Sequence, residues 1–85
     1  MPGASSGAGR ASTGARRSVI TLTALVALNR EHELAMHLRA ARRNGLAWAE
    51  IAELLLQCAI YCGVPAANGA FAVAERVREE EEGQR

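Results

Sequence analysis

Apolar and polar positions divide the chain into a featureless lead-in, four stretches of helical character and a charged end. Residues 17–28 (RSVITLTALVAL) are apolar on nearly every side, and a run of about 12 residues reads as a buried helix in preference to a strand. Burial all round predicts neighbours on several faces. Residues 30–44 follow a helical period, and Gly45 can take the left-handed conformation that closes a helix. A third helix over 48–62 sets Ile51, Leu55, Cys58 and Cys62 in one apolar stripe, with Glu50, Glu53 and Gln57 off it. Gly63-Val64-Pro65 breaks the pattern, and Pro65 suits the first position of a fourth helix. Its Ala66, Ala67, Ala70, Phe71, Val73, Ala74 and Val77 allow close approach of another helix. Residues 1–16 hold four of the eight glycines without periodicity and read as a disordered lead-in. Glu79 to Glu82 form a run of like charges that reads as a fraying, solvated tail. The expected organisation is a lead-in over 1–16, an all-α bundle of about four helices over 17–78, and an acidic tail over 79–85.

Composition agrees with helices. Hydrophobic residues make up 49% of the 85 positions but aromatics only 4%, so the core is built from Ala, Leu, Val and Ile. A chain this short buries only about 60% of the surface that its unfolded form exposes, which makes stability marginal. Ten basic residues, all Arg, face nine acidic residues, all Glu, for a formal charge of +1. That balance argues against a nucleic-acid partner. No apolar run approaches the ~20 residues that span a bilayer, so no membrane partner is expected either. The first residues lack the apolar region of a secretory signal. Cys58 and Cys62 are four apart on one helix, awkward for a disulfide and too few for a metal site of about four ligands. They read as free thiols in a reducing cytoplasm.

Helix 30–44 carries the candidate chemistry. At about 100° per residue, Arg30, Glu33 and His37 fall within roughly 60° of one another, and Leu34, Leu38 and Ala41 continue that side as an apolar stripe. This predicts that the three polar groups point inward, while His32, Arg39 and Arg43 face solvent or a partner subunit. Charged groups at a core edge need mutual pairing. In a structural reading Glu33 bridges Arg30 and His37; in a functional one Arg30 holds an anion while Glu33 and His37 share a proton. Histidine suits that work because its ordinary pKa of about 6.5 lies near working pH.

The blocks REHELAMHLRAA (30–41) and AIYCGVPAAN (59–68) decide between these readings. With the sequence around them, about 17–77, they resemble the C-terminal part of carboxymuconolactone decarboxylases, which run with a similar REHEL-x-x-H-x-R-A-A and L-L-x-x-A-x-Y-x-G-V-P-A-A. The resemblance implies decarboxylation of 4-carboxymuconolactone to 3-oxoadipate enol-lactone, in the protocatechuate branch of the β-ketoadipate pathway of bacterial aromatic catabolism. It implies no cofactor, because the lactone is the electron sink, and a homo-oligomeric assembly. The carried-over roles are His37 for proton delivery or enolate stabilisation, Glu33 for orienting His37, and Arg30 for the carboxylate of a dicarboxylate lactone substrate. Arg39 is a second substrate-binding candidate, reaching a pocket across a subunit boundary.

Departures from the family pattern matter too. Further helices precede the matching stretch in family members, so the resemblance implies a domain truncated at its N-terminus, with helix 17–28 partly uncovered and prone to associate. Ala47 and Ala49 stand where the family has Thr or Ser and then Glu, which removes a helix cap worth about 1 kcal/mol. A peroxidase branch of the superfamily, similar to alkyl hydroperoxide reductase D, carries Cys-x-x-Cys before the helix histidine; here those positions are Arg30 and Glu33, so the thiol pair for peroxide reduction is missing. A non-catalytic helical oligomerisation module is the stronger rival. A helix-turn-helix reading of RRNGLAWAEIAELL fails because the following helix has no Arg to enter a groove.

Overall fold

The structure, a computed structural model, describes residues 13–84. Most of the expected lead-in, residues 1–12, lies outside the described residues. Four helices follow in order: α1 (Gly14–Ala27), α2 (Glu31–Arg43), α3 (Trp48–Cys62) and α4 (Val64–Gly83). Among the described residues there is no strand, as the apolar periods predict.

Local chemistry sets each boundary. Thr13 caps α1 by accepting a hydrogen bond from the Arg16 amide at 3.2 Å, so Gly14 to Arg16, expected in the lead-in, are helical. Asn29 ends α1 in the left-handed region (φ 60°), with the Arg30 amide bonded to Leu25 O and the Asn29 amide to Val26 O. The same pair of bonds closes α2 around Gly45 (φ 96°): Leu46 N to Ala41 O and Gly45 N to Arg42 O. Leu46, the residue just beyond, is buried. Ala47 offers no side-chain cap to α3, but the Glu50 carboxylate accepts from the Ala47 amide at 2.8 Å. Half of a reciprocal capping pair survives. Gly63 (φ 95°) makes the sharp passage into α4, and Pro65 lies in the first turn of that helix.

The core comes from one stripe per helix: Leu22 and Val26 from α1, Leu34, Leu38 and Ala41 from α2, Ile51, Leu55 and Cys58 from α3, and Ala70, Val73, Ala74 and Val77 from α4. α1 and α4 each pack on both α2 and α3, closing the core. The Asn44 amide group donates to the buried Ser18 hydroxyl at 3.2 Å and ties the end of α2 to the start of α1. Cys62, expected in the buried stripe, and Phe71 are only partly buried.

Two expectations change. α1 buries a single face, Ser18, Leu22 and Val26, and exposes Ile20 at 67%, with Leu28 just past its end at 63%. Its all-round apolarity therefore reports an uncovered outer face of this chain, not neighbours on every side. The acidic end, expected to fray, is helical through Gly83, because Glu80 and Glu81 have arginine partners on α2.

Candidate functional site

The buried line of α2 runs through Leu34, Leu38 and Ala41. Arg30, His37 and Glu33 lie about 50–110° to one side of its centre, at about 100° per residue. That displacement decides their environment. Arg30 and His37 are exposed and Glu33 is half-buried, so the inward, protected placement expected of the three is not what this chain shows. A wheel groups neighbours correctly but does not fix how far the covering helices reach around it.

Arg30 and Glu33 are brought together: Nη1 donates to Oε2 at 3.5 Å, with both side chains about half exposed. No hydrogen bond joins Glu33 to His37, although they stand one turn apart on the same flank. The structural bridge across all three is thus half made. A long pair this open to water contributes little to stability, and it leaves the Arg30 guanidinium accessible to a carboxylate.

The other flank of α2 is occupied by α4. Arg39 grips Glu80 with a two-pronged contact, Nε to Oε1 at 3.1 Å and Nη2 to Oε1 at 3.0 Å and to Oε2 at 3.3 Å. Its Nε and Nη2 are engaged within the chain, which places Glu80 against the face of the guanidinium that would make a two-pronged contact with a substrate carboxylate. Arg42 makes a closer pair with Glu81, at 2.9 Å from Nε and 2.7 Å from Nη2, and donates to Leu46 O at 2.8 Å. Its guanidinium also stacks on Trp48, 5.1 Å from the ring centre, while the indole N–H donates to Glu81 at 3.1 Å. The hydrogen bond to Glu81 raises the Arg42 pKa above its ordinary value, against a smaller effect of burial and with help from the carboxylate charge. Sequence reasoning missed this cluster, because Arg42 lies 39 residues from Glu81 in the chain.

A cleft of about 340 Å³ lies along this flank, lined by Arg39, Arg42, Arg43, Val77, Glu80 and Glu81 among others. A second, about 210 Å³, adds His32, Met36 and Arg76. Both are on the side of α2 away from Arg30, Glu33 and His37. Among the described residues no group of three or more His, Cys, Asp or Glu could hold a metal ion, and no helix is long and apolar enough to cross a membrane.

The described residues thus form an all-α bundle of four helices, with Arg30, Glu33 and His37 on one flank of the second. The chain belongs to the carboxymuconolactone decarboxylase family: that family's model matches residues 9–76, a stretch that contains all of α2. It is 51% identical over 61 residues to the 4-carboxymuconolactone decarboxylase of Acinetobacter baylyi, covering 72% of this chain and 46% of the relative. It is 36% identical over 61 residues to a nitrosuccinic acid decarboxylase of Metarhizium robertsii, covering 72% of this chain and 43% of the relative. The chain thus spans about half the length of the curated relatives that it matches. Both relatives carry the name of decarboxylases.

Proposed function

We propose that this chain serves cofactor-free decarboxylation of 4-carboxymuconolactone, giving 3-oxoadipate enol-lactone. The observation that carries this reading is the 51% identity to a 4-carboxymuconolactone decarboxylase. In the reaction the bond to the departing carboxylate breaks, CO2 leaves, and the electron pair is delocalised into the lactone carbonyl until carbon is protonated. Arg30 receives a substrate carboxylate, for which its planar fork is suited. His37 delivers the proton or stabilises the enolate oxygen, and Glu33 orients His37.

Water must be kept from such a site, and on this chain Arg30 and His37 are open. The reading therefore includes a homo-oligomer in which a second copy covers the Arg30, Glu33 and His37 flank, in a soluble, cytoplasmic protein. The test is turnover of the lactone by the purified chain and by His37→Ala and Glu33→Ala. Loss of a general acid lowers kcat/KM by about 10²–10⁴. Unchanged kcat/KM in both variants overturns the assignment. The exposure of Arg30 and His37 favours one second reading, a non-catalytic helical assembly module, which predicts an ordered oligomer without turnover.

A further inference from the structure

Between α1 and α3 runs an apolar groove of about 200 Å³, lined by Val19, Thr23, Leu54, Gln57, Cys58, Tyr61 and Cys62. Both cysteines are free thiols; Cys58 is buried and Cys62 half-buried. Residues one turn apart have Cβ atoms about 5–6 Å from each other on the same side of a helix, so the two sulfurs stand side by side at the groove wall. Nothing in the proposed decarboxylation uses them, and the family's peroxidase cysteines fall elsewhere in the chain.

We propose that Cys58 and Cys62 form a chelating dithiol site for a monosubstituted trivalent arsenical, with its organic group lying in the groove. Four-ligand metals are poorly served, since no third His, Cys, Asp or Glu joins the pair among the described residues. A monovalent soft cation held by two thiolates would leave a net negative charge in apolar surroundings. Burial already pushes the Cys58 thiol above its ordinary pKa, with the charge of Cys62 and a hydrogen bond to it adding to the rise, and Thr23 opposing it. The arsenical avoids that penalty because its adduct is neutral. An arsonous acid, R–As(OH)2, exchanges two As–O bonds for two As–S bonds; the two thiol protons leave with the two hydroxides as water, and arsenic stays trivalent. The substituent R then meets Val19, Leu54 and the exposed ring of Tyr61.

The probe is phenylarsine oxide, which hydrates to the arsonous acid, added to the reduced full chain. One arsenical per chain is expected by intact mass, with both thiols lost together to a thiol reagent. Cys62→Ser removes one arm and weakens binding by a factor on the order of 100, the scale of a lost second attachment. Tyr61→Ala weakens the phenyl compound more than its methyl analogue. Binding by Cys62→Ser as tight as by the parent chain, two arsenicals per chain, or cross-linking of two chains by one arsenical each overturn the proposal. Cys58→Ser is read only if circular dichroism shows it folded; Cys62→Ser, at a half-buried position, decides the matter alone.

Discussion

Arg42 joins three helices through one guanidinium: it belongs to α2, lies over Trp48 at the start of α3, and pairs with Glu81 near the end of α4. Glu81→Ala removes the acceptor for both Arg42 and the Trp48 indole in a partly buried setting, and leaving such donors unmatched costs about 1–3 kcal/mol. For a domain of this size that is a fall in Tm of roughly 4–8 °C per kcal/mol, readable by thermal denaturation. Glu81→Gln keeps a carbonyl acceptor and loses less. None of this was legible in the sequence, where the glutamates read as a tail, because pairing across 39 residues leaves no local trace. Cys58 gives a pH prediction. Its folded-state pKa is raised, so the neutral thiol's contribution is complete below the unfolded thiol pKa and is lost as pH rises through the folded one. Stability should fall on the alkaline side, and Cys58→Val should flatten that part of the profile relative to the parent chain; an equal loss of urea-unfolding free energy between neutral and alkaline pH in the two chains would refute it.

At the level of elements, the ends of the helices were more legible than their surroundings. Gly45 was expected to close α2 because a left-handed residue was needed after the last apolar position, and its φ of 96° bears this out. Asn29 does the same for α1 at φ 60°, but an asparagine announces the conformation less clearly than a glycine. Gly45→Ala places a Cβ in that conformation and should destabilise by about 1 kcal/mol. Asn29→Gly should be neutral or stabilising in the same melts. Ala47 has the extended backbone of a capping residue (φ −79°, ψ 153°) and lacks only the oxygen. With Glu50 already accepting from the Ala47 amide, Ala47→Ser completes the reciprocal pair and should add about 1 kcal/mol. A serine that leaves Tm unchanged would show that the start of α3 is held by tertiary packing.

At the largest scale, the described residues form a slab 20 Å thick, about two helix diameters. In a slab of two layers every helix keeps an outer face, and those of α1 and α3 carry large apolar side chains: Ile20 on the first, with Leu28 just past its end, and Leu56, Ile60 and Tyr61 on the second, all more than half exposed. The sequence identified the helices but not this asymmetry, since a stretch with no charge between Arg17 and Arg30 offers no polar face by which to tell inside from outside. The site suffered the same ambiguity: Arg30, Glu33 and His37 do share a flank, yet whether that flank is covered depends on what packs beyond α1 and α2. Exposed apolar surface of this kind drives association, and an associating protein has a Tm that rises with concentration. Sedimentation equilibrium should therefore find species larger than one chain, and Ile20→Glu combined with Ile60→Glu should shift the population towards the monomer while leaving helicity intact. If lactone turnover is present and falls in step with that dissociation, a second copy completes the site. Turnover that persists in the monomer would show that the exposed Arg30 and His37 work without a second copy.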